Sequence, residues 1–136
     1  MNKKIILTLD DAKIIAAASE AEAKKNNWSV VIAIVDDGGH LVHLLRLDDT
    51  QFGSVEVAIQ KARAAIAFRR PTKVWEEHIT DGRMRYLALP GAMPVEGGLP
   101  ISLEGQFVGA VGVSGVRSNQ DAQIAQAGLD TLLKAH

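Results

Sequence analysis

The chain has 136 residues, enough for one domain with a real core and too few for two substantial ones. Its formal net charge of -1 supplies no basic field for nucleic acid, and it has no cysteine, which excludes disulfides, thiolate nucleophiles, zinc knuckles, iron–sulfur clusters and thiolate-ligated haem. With 47% apolar residues but only six aromatic ones, Val, Ile, Leu and many alanines must fill the interior, and alanine lets backbones pack closely.

Lys3 and Lys4 precede a short apolar run, but Asp10, Asp11 and Lys13 interrupt it before a secretory segment could form, so no signal peptide is expected. No window approaches the roughly 18 apolar residues of a membrane span, and the expected location is cytoplasmic. Thr8 is placed as an N-cap with Asp11 three residues on, and a helix is expected from about Leu9 to Lys25, with Ile14, Ala18, Ala21 and Lys25 at helical spacing.

Trp28 to Val35 is β-branched and apolar, Asp36-Asp37-Gly38-Gly39 is a turn cluster, and His40 to Leu47 reads as the returning strand. Val30, Ile32 and Ile34 point one way and Val31, Ala33 and Val35 the other, so neither face of this strand is made for water. A second helix is expected from Ser54, its N-cap, to Phe68, with Val55, Ile59, Ala62 and Ile66 buried. Pro71 ends it, Thr72 caps a short helix through Ile79, and Asp81 to Pro94 is an irregular connection with room for one short strand at Tyr86 to Leu89.

Glu96 to Gly115 carries six of the twelve glycines and reads as a hairpin, Leu99 to Leu103 and Phe107 to Val113, turning at Glu104-Gly105. Gly109 and Gly112 interrupt the second strand, which predicts a close approach by a helix, a partner chain or a ligand. Ser118 or Asn119 caps a last helix to about Lys134, where Gly128 costs roughly 1 kcal/mol against alanine and so marks close packing. The order predicts an α+β fold, an antiparallel sheet with helices on its faces.

Several of these segments match one pattern: Val35 to Leu41, Arg46-Leu47-Asp48, Lys61-Ala62, Gly97 to Ile101, and Gly109 to Gly115 followed by Gln120-Asp121, Ala125 and Ala127-Gly128. In these the chain, as one domain over 1–136, resembles the GlcG/HbpS family of small haem-binding or "haem-degrading" domains, which also forms the C-terminal domain of PduO-type proteins. The resemblance implies a profilin-like fold, about five antiparallel strands between helical layers. It further implies homo-oligomers and links to haem, to corrinoid-dependent diol or glycerol metabolism, and to glycolate operons. Adenosyltransferase activity belongs to a different domain of PduO-type proteins and is not expected here.

His40 and His43 are the natural candidates for iron ligands in a chain without cysteine. Three apart on a strand they point to opposite faces, so they are alternatives rather than a pair; the competing account is two strand histidines hydrogen-bonded near an interface. His78, between Glu77 and Ile79, reads as a solvated helix residue, and His136 as a terminal one. Lys61 among helix alanines could meet a carboxylate, a haem propionate or a corrin amide, or else snorkel to solvent or pair with a nearby acid. Gly97 and Gly98 could form a backbone nest for an anion, with Ser114 and the last helix's N-terminus supplying further donors, or could simply turn and bulge the strand. Asp121 reads as a helix-start residue, Asp36 and Asp37 as turn formers, and Arg46 as one arm of a salt bridge.

The leading expectation is a haem- or other tetrapyrrole (corrinoid)-binding accessory protein, its ligand near Gly97-Gly98, Lys61 and one of His40 or His43, where subunits meet. Two alternatives stand beside it: an enzyme or sensor for a small organic acid or aldehyde, with Gly97, Gly98, Ser114 and Lys61 as an anion pocket, and a non-catalytic oligomeric assembly subunit. No nucleophile or metal motif stands out.

Overall fold

A computed structural model describes all residues from 1 to 136. Thr8 takes an extended conformation and its hydroxyl accepts from the Asp11 amide (3.2 Å), while the Asp11 carboxylate accepts from the Thr8 amide (3.0 Å). This reciprocal box opens α1, Leu9–Lys25. The Thr8 amide, together with the Thr8 hydroxyl and His136, holds the Asp11 carboxyl below its ordinary value, against a smaller opposing effect of burial. Its stabilising contribution is therefore present above the ordinary carboxylate value of 3.8 and is lost as pH falls through the lowered one. Thr8→Ala should cost about 1 kcal/mol in urea unfolding, and Asp11→Asn should flatten the acid limb of the stability profile. An unchanged acid limb in Asp11→Asn would argue against the box as its source.

The buried side of α1 is Ala12, Ile15, Ala16, Ser19 and Ala23, about 145° around the helix from the expected Ile14, Ala18, Ala21 and Lys25 stripe. Periodicity was too weak to orient a helix with this many alanines; the close contact at Gly128 orients it instead. A Cβ on Gly128 would meet the Ser19 hydroxyl and the Ile15 carbonyl, so α1 crosses α4, Ser118–Lys134, at backbone distance. The Ser19 hydroxyl donates to the Ile124 carbonyl (2.8 Å) across that crossing.

The sheet has four strands: β1 Val31–Asp36, β2 Leu41–Arg46, β3 Gly98–Leu103 and β4 Gln106–Ser114, in the order β2-β1-β4-β3, with all pairs antiparallel. The fifth strand implied by the resemblance is absent, and Tyr86–Leu89 does not supply one. That stretch falls in a short 3-10 helix, Met84–Ala88, whose Tyr86 ring stacks on His78 and lies 5.3 Å from the Trp75 ring.

The two faces of β1 serve two layers. Val30, Ile32 and Ile34 join Ile15, Ile124 and Leu132 in the core beneath α1 and α4. Val31, Ala33 and Val35 face α2, Gly53–Phe68, through Ala58, Ala62 and Ala65. The α2 layer is thin because its residues are small: a Cβ on Gly112 would overlap the Ala58 carbonyl and come within 2.6 Å of the Ala62 amide. Gly112 thus marks the approach of a helix rather than a ligand, and Gly109 that of the neighbouring β1 backbone at Val35.

Several expected caps differ. α2 begins at Gly53 after Phe52, with Ser54 buried inside the helix, and α4 begins after Arg117, whose amide donates to the Gln120 side chain (3.3 Å). Thr72 stands at the start of α3, Lys73–Thr80, but its hydroxyl is used elsewhere. No helix is long and apolar enough to cross a membrane.

Candidate functional site

Lys61 sits in the third turn of α2 on the face turned to the sheet, and its side chain is 2% exposed. Its ammonium donates to the Val113 carbonyl (2.9 Å) and to the Asp121 carboxylate (3.1 Å). Asp121, in the first turn of α4, accepts with its other oxygen from the Val116 amide (3.2 Å), so one buried ion pair ties α2 to the end of β4 and to the start of α4. Burial pushes the Asp121 carboxyl above its ordinary value, opposed by the Lys61 charge and by the hydrogen bonds from Lys61 and Val116.

Gly97 closes this corner. Its φ of +133° is one that L side chains rarely adopt, and a Cβ there would lie 2.8 Å from both the Lys61 ammonium and the Val113 carbonyl. The Gly97 carbonyl accepts from the Val113 amide (3.0 Å). The next residue, Gly98, exchanges bonds with Thr72: its amide donates to the Thr72 hydroxyl (2.9 Å) and its carbonyl accepts from the Thr72 amide (3.0 Å). The Glu96 amide donates to the Glu76 carboxylate (3.3 Å).

The structure therefore brings Lys61, Gly97 and Gly98 together, with Ser114 buried next to Val113, but into a closed corner. The expected anion nest is filled by the protein's own acceptors, and the lysine meets Asp121 instead of a propionate or corrin amide. Asp121 is the residue whose role the sequence reading missed. Lys61 and Asp121 are 60 positions apart, and nothing local pairs them.

His40 lies elsewhere, at the turn between β1 and β2. The Asp36 carboxylate accepts from the Gly38 amide (2.9 Å) and the His40 amide (3.0 Å), and Arg63 of α2 donates through Nε to the Gly39 carbonyl (3.0 Å). The backbone on both sides is thus tied down, while the imidazole is exposed over a cleft of about 380 Å³ that it shares with Arg63, Ile66 and Ala67. Arg63 binds the turn through Nε, leaving the outer guanidinium nitrogens for an anion. The Asp36 bonds fit its reading as a turn former, whereas Arg63 was not foreseeable, since it meets Gly39 only once α2 lies on the sheet.

A bulge separates the two strand histidines: Val35 pairs with Leu41 and Ile34 with His43. His43 thus stands opposite Ile34, whose side chain belongs to the α1/α4 core, whereas His40 lies toward α2. One iron cannot be gripped by both from a single chain. His78 stacks on Tyr86 (4.7 Å, 20°) rather than standing in solvent, and His136 lies 3.3 Å from the Asp11 carboxylate. Arg46 donates to the Thr50 carbonyl (3.1 and 2.8 Å) in place of the expected salt bridge, and Asp37 pairs with Lys4 (2.8 Å). No three His, Asp or Glu side chains converge as a metal site.

Comparison with known proteins places this geometry. A family model described as "Haem degrading protein HbpS-like" matches residues 7–130. Protein GlcG of Escherichia coli (strain K12) is 46% identical over 114 residues, covering 84% of this chain and 85% of that protein. The crystal structure of Klebsiella pneumoniae protein ORFY superposes with a TM-score of 0.89 at 31% identity, covering 98% of this chain and 97% of that one. A PduOC:haem complex superposes with a TM-score of 0.85 at 26% identity, covering 93% and 95%.

Proposed function

The chain belongs to the HbpS-like family, and we propose on that premise that it is a haem- or other tetrapyrrole-binding accessory protein with His40 as the iron ligand. The observation that carries the assignment is the state of the histidines. His78 is taken up by Tyr86, His136 lies against Asp11 and His43 is half-buried on the edge strand, whereas His40 presents an exposed imidazole on an immobilised turn.

The surroundings fit a haem. Arg63 supplies a cation for a propionate, Ile66 and Ala67 an apolar contact, and Leu41, next to His40, exposes a further apolar side chain. A bound haem would supply the iron for ligand or redox chemistry, and the protein's part is to hold the ring and present one imidazole to it. The cleft would lie against one side of such a ring, and a second copy of the chain, as in a homo-oligomer, would cover the other. The organic-acid reading is less well supported, because its anion pocket is the corner filled by Lys61 and Asp121.

Titration with hemin and, separately, with a corrinoid, followed by absorbance, tests the proposal. Saturable hemin binding, weakened at least about tenfold in His40→Ala and little changed in His43→Ala, is expected. The absence of saturable binding of either tetrapyrrole, or hemin binding untouched by replacing both histidines, would remove the assignment.

A further inference from the structure

Both hairpin turns of an antiparallel β2-β1-β4-β3 sheet lie at one end, and the segment before α1 runs across that end. Lys4 reaches Asp37 in the first turn (2.8 Å), and the Ile5 amide donates to the Gln106 side chain beside the second (3.0 Å). Between this strap, the β3–β4 turn and the last turn of α4 lies a recess of about 450 Å³, within the size range of small-molecule sites. Six of its ten lining residues are hydrophobic. Leu7 and Val108 form a buried floor, whereas Ile6 and Leu133 are 72% and 41% exposed. These rim side chains lose water-exposed apolar area only if something enters.

The polar residues lining the recess are Asp11, Ser102, Glu104 and His136. Asp11 and Glu104 line it, and the only cationic group among its lining residues is the His136 imidazole, present only when protonated. The Thr8 amide and hydroxyl fix one Asp11 oxygen, and the other meets His136 (3.3 Å) while keeping a lone pair for a further donor. Apolar walls with an anionic corner select a short hydrocarbon with a donating or cationic head and disfavour a carboxylate.

We propose that this recess is a second ligand site, distinct from the His40 cleft, for a short-chain aliphatic amine, its hydrocarbon on Leu7, Leu103 and Val108 and its ammonium on Asp11. The recess and the His40 cleft share no lining residue, so the two proposals fail separately. The test uses calorimetric titration of the whole protein with hexylamine, hexan-1-ol and hexanoate. Saturable hexylamine binding is expected, with hexanoate at least about tenfold weaker. Leu133→Lys, at the exposed rim, should weaken hexylamine at least about tenfold and leave hemin binding unchanged, and Val108→Phe, which fills the floor, should abolish hexylamine binding. Equal affinity for hexylamine and hexanoate, no saturable binding of hexylamine, or hexylamine binding unaltered in Leu133→Lys would each overturn the proposal. The rim variant carries that outcome should Val108→Phe not fold.

Discussion

Lys61→Met should destabilise the protein by about 3–5 kcal/mol, because it leaves the Asp121 carboxylate buried without its counter-charge. The size of the effect follows from burial. With the side chains 2% and 3% exposed, water cannot take the place of the missing ammonium. Such a pair adds little net stability over an apolar replacement of both members, yet breaking it is costly. Lys61→Met/Asp121→Asn should therefore lose less than the sum of its single variants, by up to about 3 kcal/mol in a double-mutant cycle.

The pH dependence has a definite sign. Burial already places Asp121 above the ordinary value of 3.8, so protonation relieves the folded state more than the unfolded one, and stability from this group falls as pH rises through that window. Without Lys61 the carboxyl rises further, so the Lys61→Met deficit should be smaller at pH 4 than at pH 7. A deficit below about 1 kcal/mol at neutral pH, or one that grows in acid, would mean that the corner is not a dry ion pair.

Gly112→Ala should cost about 3 kcal/mol or more, since one added methyl group must displace the α2 backbone at Ala58 and Ala62 from β4. Gly53→Ala is the matched control: nothing lies within 4 Å of a Cβ there, and it should be neutral or stabilise slightly. Comparable losses in the two variants would show that propensity, not close approach, governs these glycines. Chemical denaturation of both proteins distinguishes the cases. Because α2 also carries Arg63, a shifted helix should weaken the tether on Gly39 as well.

The alternation of Val30 to Val35 predicted a strand buried on both faces, and those faces are the α1/α4 core and the α2 layer. Thr8 with Asp11 predicted a capping box, which is present. These features were legible because each lies within a few residues of chain. What depends on distant contacts was not. The buried side of α1 is set by Gly128 and Ile124 of α4, more than a hundred positions away, and so its expected stripe was misplaced. Lys61, Gly97, Gly98 and Ser114 were correctly drawn to one region by motif, but the region is a packed corner, because Asp121 and Thr72 use the donors expected to face a ligand. Conversely, chemistry alone named His40 and His43 as alternatives, and only the folded chain supplies the features that favour His40, a tethered turn with Arg63 beside it.

The most direct test of the tetrapyrrole seat is chemical rescue of hemin binding to His40→Ala by free imidazole, followed in the Soret band. If His40 is the iron ligand, the variant's altered spectrum should return toward that of the unsubstituted protein as imidazole is added, with Arg63 and the apolar wall still holding the ring. A His40→Ala complex whose spectrum and affinity match those of the unsubstituted protein before any imidazole is added would contradict it.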